Sequence, residues 1–241
     1  MSIALISDIH GNLEALDAVF AEIDRRRPKR VICLGDVVGY GASPNECLDR
    51  VKERCDLVLL GNHDAAASGG PEAARFNIYA RVAAEWTAKT LTRENREYLQ
   101  RLPLTSSEGA FYVVHASPAC PRDWEYLLDR FDAEPQFHYF EELICFIGHT
   151  HQPAVFMADP AGCKSLPVSN VVLEPGRRYI ANVGSVGQPR DHDPRACFVV
   201  FHEAAGMIEY ARIPYDVEAA QAKIRAAQLP EVLAARLATG E

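Results

Sequence analysis

Nitrogen and oxygen donors gather in five short stretches of this chain: Asp8-Ile9-His10, Gly35-Asp36, Gly61-Asn62-His63-Asp64, a lone His115, and Gly148-His149-Thr150-His151. Each follows an apolar run that reads as a buried strand. Imidazole, carboxylate and carboxamide are the groups that hold hard or borderline divalent cations. In a strand-like Asp-x-His or His-x-His, side chains two residues apart share a face, so both can reach one ion. Taken singly the motifs are weak. Asp-x-His can be a cap beside a chance histidine, Gly-Asn-His-Asp a polar turn, and His115 a buried structural imidazole. Five such motifs at the ends of five apolar runs point to convergence, because residues just past the carboxyl ends of strands in an open α/β sheet face one crevice. The chemistry implied is hydrolysis of a phosphate ester at two adjacent metal ions. Cations ~3.5–4 Å apart repel, so a carboxylate and a hydroxide must lie between them, and the pair lowers the pKa of bound water toward ~7.

The elements that position these donors read as follows. Ser2 to Ser7 is a central strand, and Asn12 to Arg27 a helix whose face carries Leu13, Leu16, Val19, Phe20 and Ile23. Val31 to Leu34 is the next strand. Pro44 to Glu53 is a helix with Ser43 as N-cap, and Leu57 to Leu60 a third strand. This β-α-β-α-β order predicts a parallel sheet with right-handed crossovers. Residues 72–101 read as a helical insertion, with Thr92 capping a second helix. Strands follow at Phe111 to Val114, Leu143 to Ile147, Ala154 to Met157, Val168 to Leu173, Tyr179 to Asn182, Cys197 to His202 and Met207 to Ile213, with a surface turn at Asp159 to Gly162. The tail, Val217 to Leu237, reads as one or two helices divided at Pro230. The expected fold is α/β: a four-layer α/β/β/α sandwich of two mixed sheets, in one domain spanning residues 1–241.

Composition narrows the partners. With 25 basic and 33 acidic residues the net charge is −8, which argues against an extended nucleic-acid surface but not against a small phosphorylated substrate, since bound metals reverse the local sign. The seven cysteines are scattered without a C-x-x-C pair, so reduced, mostly buried thiols are expected. No run approaches the ~18 apolar residues of a membrane span, and the N-terminus has no basic leader. A cytoplasmic protein is the expectation.

The ordered set D-x-H, G-D, G-N-H-D, H and G-H-x-H resembles the calcineurin-like metallophosphoesterase family. Gly35-Asp-Val-Val-Gly-Tyr-Gly, Val114-His-Ala-Ser-Pro and Asn182-Val-Gly-Ser-Val-Gly-Gln-Pro-Arg are similar to its small bacterial and archaeal phosphodiesterase-like branch. The resemblance implies that Asp8, His10 and His151 bind one metal, that Asn62, His115 and His149 bind the second, and that Asp36 bridges both. It implies that His63 protonates the leaving oxygen or stabilises the transition state, with Asp64 as a candidate to orient its ring. Mn²⁺ is the first choice of metal, with Fe, Zn, Ni or Co as alternatives. Asn12, Tyr40, Arg122, Asn182, Ser185 and Arg190 are candidate substrate contacts, although Asn12 reads better as a helix cap and Arg122 and Arg190 as surface residues. Trp124 and Tyr126 read as lid packing. Protein Ser/Thr phosphatases of the wider superfamily carry Asp-Arg-Gly where this chain has Gly39-Tyr40-Gly41. Loss of that arginine removes a fixed charge and favours a diester or nucleotide over a phosphoprotein. The expected activity is thus a phosphodiesterase, the alternatives being a phosphomonoesterase, a dinucleoside-polyphosphate hydrolase, or a non-catalytic scaffold. Relatives of this family also suggest a homo-oligomer, for which the sequence shows no seam.

Overall fold

The first strand, β1 (Ser2–Ile6), shows how the layers arise. Alternate side chains of a strand leave on opposite faces. Ile3 and Leu5 enter one core with Phe146, Tyr179 and Phe201, whereas Ala4 and Ile6 enter another with Leu16, Val19 and Phe20 of the first helix. A strand buried on both faces must be apolar throughout, as this one is.

A computed structural model describes residues 1–241. After β1 come α1 (Leu13–Arg26), β2 (Arg30–Cys33), α2 (Pro44–Arg54), β3 (Leu57–Val58), α3 (Asn62–Ser68), α4 (Ile78–Thr90) and α5 (Arg93–Leu99). The second half holds β4 (Thr105–Glu108), β5 (Phe111–Val114), α6 (Arg130–Ala133), β6 (Ile144–Ile147), β7 (Ala154–Asp159), β8 (Gly162–Leu166), β9 (Val171–Val172), β10 (Arg178–Asn182), β11 (Ala196–His202), β12 (Met207–Ile213), α7 (Val217–Ala226) and α8 (Glu231–Ala235).

The strands form two six-stranded sheets, in the orders β3-β2-β1-β11-β12-β9 and β4-β5-β6-β10-β7-β8. Both are mixed: β1, β2 and β3 run parallel while β11 is antiparallel to β1, and β5, β6 and β10 run parallel while β7 is antiparallel to β10. One apolar core lies between the sheets. A second lies under α1 and α2, and a third joins α6 and the adjoining 3₁₀ turn to the outer face of the second sheet. These are the four layers expected. A further cluster gathers α4, α7 and α8 around Tyr40, so the insertion and the C-terminal tail meet beside the donor loops.

Several elements differ from expectation, each for a physical reason. Gly61-Asn-His-Asp is not a turn but the start of α3: Asp64 accepts the Gly61 N–H at 3.1 Å, and the alanines that follow favour helix. The insertion is a 3₁₀ turn (Pro71–Arg75) and two helices, the second capped by Thr92, whose Oγ1 accepts the Asn95 N–H at 3.2 Å. Strands β4 and β8 escaped notice because Thr-Ser-Ser-Glu and Gly-Cys-Lys-Ser-Leu are polar edge strands without apolar alternation. The Asp159 to Gly162 turn therefore joins a hairpin. Val168 to Leu173 contributes only the two-residue β9. Helix α6 is too short for periodicity to reveal. Ser43 precedes α2 but makes no side-chain cap bond; Pro44 opens the helix instead. Five of the seven cysteines are buried, Cys55 is half-buried and Cys120 exposed, and all are free. No helix is long and apolar enough to cross a membrane.

Phe146 is fully buried between the sheets, in edge contact with Phe111 and tilted against Phe201 at 5.4 Å. Phe146→Ala should cost about 3–5 kcal/mol of stability by removing that ring and leaving a cavity. Urea unfolding should show a lower midpoint at unchanged slope; an unchanged midpoint would exclude the inter-sheet core as described.

Candidate metal centre

The donor motifs lie beyond the ends of their strands, and the backbone there is left-handed. Asp8, His10, Asp36, His149 and His151 have φ of 54°, 51°, 52°, 68° and 60°. This corrects the strand-like reading of Asp-x-His and His-x-His: the paired side chains converge because the chain coils at each, not because a strand alternates. Such φ values are uncommon outside glycine and each costs roughly 1–3 kcal/mol. Backbone bonds between the loops hold them: Asp8 N–H donates to Gly35 O at 3.0 Å, His10 N–H to Asp36 O at 3.0 Å and Gly187 N–H to Asp8 O at 2.9 Å. Gly61 must lack a side chain, since a Cβ there would lie 2.1 Å from Asp36 Oδ1.

The result is a buried cluster. Asp36 Oδ2 is 3.4 Å from His115 Nε2 and 3.7 Å from His10 Nε2, and Asp8 Oδ1 is 3.4 Å from His151 Nε2 and 3.8 Å from His10 Nε2. Donor atoms of Asp8, His10 and His151 lie within 4.8 Å of one another, as do those of Asp36, His115 and His149, and those of His10, Asp36 and His63.

Each of the four histidines in the proposed ligand set gives one ring nitrogen to a carbonyl. His10 Nδ1 donates to Val38 O (3.1 Å), His115 Nδ1 to Leu34 O (2.9 Å), His151 Nδ1 to Gln188 O (2.6 Å) and His149 Nε2 to Trp124 O (2.9 Å). A carbonyl only accepts, so each outer nitrogen carries a proton, and in the neutral rings of His10, His149 and His151 the inner lone pair faces the cluster. His10 Nε2 and His151 Nε2 thereby point two lone pairs at each other across 3.0 Å. The carboxylates are arranged alike: Asp8 Oδ2 accepts His149 N–H at 3.0 Å and Asp36 Oδ1 accepts His63 N–H at 2.8 Å. Their other oxygens, with Asn62 Oδ1 and His115 Nε2, are buried and without partners. Buried acceptors are normally satisfied. Facing lone pairs and orphaned oxygens form a set that cations complete, so these residues fit divalent metal ions.

Burial is the largest influence on every one of these groups. It pushes His149 down to about 3 and His10 and His151 well below the ordinary value, leaving them neutral and able to ligate. Burial also opposes charge on His115, but Asp36 and Asp8 outweigh it and raise that ring to about 9. Asp36 is the counterpart: burial pushes it up, and His115 and His63 bring it far below the usual carboxylate range. Burial raises Asp8 to about 6 despite His115.

The remaining candidates separate clearly. His63 lies beside the cluster, its ring stacked on Phe76 at 4.5 Å and tilted against Tyr40 at 4.4 Å. Gly39, with φ of 101°, leaves room for it, since a Cβ would lie 2.6 Å from His63 Nδ1. Asp64 does not orient that ring: its oxygens accept the Val38 and Gly61 N–H groups and so tie two donor loops together. Asn12 is a cap, accepting Ala15 N–H at 3.2 Å and donating to Gly187 O at 2.8 Å. Asn182 and Ser185 are corrected from substrate contacts to loop anchors. Asn182 Nδ2 donates to Gly148 O and Thr150 Oγ1 while its Oδ1 accepts Gly184 N–H, and Ser185 Oγ donates to Asp8 O and accepts from Gln188 N–H. Arg122 is exposed and lines a neighbouring hollow with Pro71, Ala74 and Arg75, in which no proposed ligand takes part. Arg190 is half-buried and stands over the Tyr40 ring at 5.6 Å, donating to Tyr40 Oη and Gln188 Oε1. It therefore returns a positive charge to the place where Tyr40 had suggested its loss.

A cavity of about 250 Å³ opens from the Asn62, His63 and His149 side of the cluster. The insertion supplies one wall with Phe76 and Asn77, and Trp124 and Tyr126 supply another. Trp124 is buried, but Tyr126 is 51% exposed, so it is not packed as a lid residue would be. The carbonyls that fix the imidazoles, and Phe76, were invisible to sequence reasoning. Val38 and Gln188 do fall inside the conspicuous G-D-V-V-G-Y-G and N-V-G-S-V-G-Q-P-R segments, which was their only signal.

Comparison with known proteins agrees with this geometry. Residues 1–206 match the calcineurin-like phosphoesterase superfamily domain, and the chain belongs to that family. It is 40% identical over 242 aligned positions to an uncharacterized protein of Methanocaldococcus jannaschii, covering 99% of this chain and 98% of that one. It is similar in structure to a metallophosphoesterase from Sphaerobacter thermophilus, with a TM-score of 0.88, 39% identity, and coverage of 100% and 99% of the two chains. A hypothetical protein of Pyrococcus horikoshii shares the fold at a TM-score of 0.81 and 20% identity, over 100% and 98% of the chains. Phosphoric ester hydrolysis with divalent metals is the chemistry of this superfamily.

Ligation by His115 requires removal of the proton that its raised value of about 9 places on the ring at neutral pH. Apparent metal affinity should therefore climb up to about tenfold per pH unit from pH 7 and level off above pH 9. Mn²⁺ titrations of metal-free protein by calorimetry across that range would measure it, and a flat affinity would show that no ligand loses a proton on binding, so that His115 is either neutral already or not a ligand.

Proposed function

We propose that the chain is a binuclear metal-dependent phosphohydrolase acting on a phosphodiester. The observation that carries this reading is the convergence of buried, partnerless acceptors on two sides of Asp36. Asp8, His10 and His151 would hold one ion, and Asn62, His115 and His149 the other, with Asp36 shared. Mn²⁺ is the proposed metal, with Fe, Zn, Ni or Co able to use the same donors. Bound there, the ions would neutralise the phosphoryl oxygens and supply a nucleophilic water at neutral pH.

The chain's own residues do the rest. Asp8 and Asp36 are held by backbone N–H groups at one oxygen each, so their free oxygens need not reorganise. His63 would meet the leaving oxygen. Burial, opposed by Asp36 and reinforced by Arg190, lowers its value to about 4, so its ring is neutral above about pH 5. Of the two roles implied by resemblance, this favours stabilisation by a neutral N–H donor over protonation by imidazolium. Arg190 and Tyr40 border the cluster and would grip a phosphoryl oxygen.

The Gly39-Tyr40-Gly41 turn supports a diester, because it carries no arginine of its own and the Arg190 guanidinium beside it is shared with Tyr40 and Gln188, which weakens its hold on a dianion. A second reading rests on Arg236, whose guanidinium also reaches Gln188 Oε1 at 3.4 Å. Two cations on one amide oxygen favour a more highly charged substrate, a phosphomonoester or a dinucleoside polyphosphate. Cleavage of bis-p-nitrophenyl phosphate but not p-nitrophenyl phosphate by Mn²⁺-loaded enzyme is expected; the reverse preference selects the second reading, and inertness toward both selects the scaffold.

His63→Ala keeps the backbone N–H that anchors Asp36 and should retain two metals per chain while losing at least 100-fold in kcat, on the order expected for a lost transition-state donor. Metal analysis beside kinetics would check this. Loss of a metal would make His63 a ligand, which its distance to His10 and Asp36 also permits. Arg190→Ala should raise KM about tenfold with kcat less affected, a split that steady-state kinetics would resolve.

A further inference from the structure

The cavity beside the metal donors has a composition that the hydrolytic reading does not use. Two of its walls are aromatic faces set against histidines: Phe76 stacks on His63 at 4.5 Å and 29°, and Tyr126 on His149 at 4.2 Å and 23°. One face of the Tyr126 ring is spent on His149, yet the residue remains 51% exposed and lines the cavity. An aromatic held flat against a neighbour with its other side open is a stacking platform.

The polar lining is also specific. Glu72 Oε2 is buried and has no hydrogen-bond partner. A Cβ on Gly70 would lie 2.1 Å from that oxygen, which therefore packs against the Gly70 backbone. Asn77 spends its Oδ1 on the Ala80 N–H at 3.0 Å, leaving its amide N–H groups uncommitted. The lining therefore offers an acceptor that wants N–H and a donor that wants C=O or a ring nitrogen. Such a pair matches the edge of a heterocycle and has no use for an alkyl group. The cavity measures about 250 Å³, smaller than the ~300–1,000 Å³ of sites for drug-sized ligands, which limits it to about one ring system. Glu72 and Asp123 outnumber Arg75 along the lining, so a chain of further phosphates is disfavoured on this side.

We infer that this cavity seats the nucleobase of the substrate's leaving nucleoside, stacked on Tyr126 and Phe76 and donating an N–H to Glu72. This rests on the phosphoesterase reading, since it takes the group leaving past His63 to be the one that fills the cavity. It assigns the insertion a role: the 3₁₀ turn and the first residues of α4 form the wall that reads the base.

The test separates the two readings because nucleosides carry no phosphate ester, so their binding to the Mn²⁺-loaded protein is read apart from turnover. Of the two tryptophans only Trp124 lines the cavity, so the part of the emission that changes on binding reports occupancy. Adenosine, guanosine and cytidine carry an amino group; at least one should quench the emission saturably, and ribose should not. Tyr126→Ala should weaken that nucleoside about tenfold and Tyr126→Phe should not; Glu72→Gln should weaken it severalfold. Failure of all three nucleosides to bind, or equal binding by Tyr126→Ala, overturns the inference, even if the Mn²⁺-loaded enzyme hydrolyses bis-p-nitrophenyl phosphate. Nucleoside binding with the expected variant pattern, in a protein that hydrolyses no ester, upholds the base site and removes the hydrolytic reading instead.

Discussion

The structure is organised around an electrostatic demand: two buried carboxylates and several inward lone pairs sit too close together to be stable alone. His10 and His151 face each other at 3.0 Å with the proton of each committed elsewhere. Asp8 and Asp36 each keep one oxygen free of any hydrogen bond. Cations would complete such a site, and much of the surrounding architecture keeps these groups from relaxing away from each other.

Two features supply that rigidity. The left-handed backbone at five of the donors would be costly in isolation, and the loops carrying them are bonded to one another rather than to solvent. Asp64, Asn182 and Ser185 belong to this scaffold, each saturated by backbone groups of neighbouring loops. The two sheets then fix where the loops begin, because β1, β2, β5 and β6 deliver their motifs from adjacent positions on either side of one core. Stability of the sandwich and geometry of the donors are thus coupled through the same strand ends.

A second ring of residues, drawn from less regular parts of the chain, borders the donor cluster. Tyr40 packs with α4, α7 and α8, so the insertion and the tail both bear on the mouth of the site. Arg190 restores near Tyr40 a charge that the Gly-Tyr-Gly turn had suggested was missing. The aromatic cavity beyond it depends on Phe76 and Tyr126, which come from two segments far apart in sequence.

The sequence by itself determined the donor types, their order, and the apolar strands that end at them, because period and residue chemistry are local properties. The two-sheet sandwich was also legible, since its interior strands are apolar. Only the tertiary structure decided the rest. Polar edge strands such as β4 take their identity from a partner strand, and short helices such as α6 carry no period. The roles of Asp64, Asn182 and Ser185 hinge on which backbone groups lie within 3 Å or so of them, and no sequence spacing encodes that. The same holds for Arg190, Phe76 and Tyr126: a side chain's type says what it can bind, but its neighbours, set by long-range packing, decide what it does.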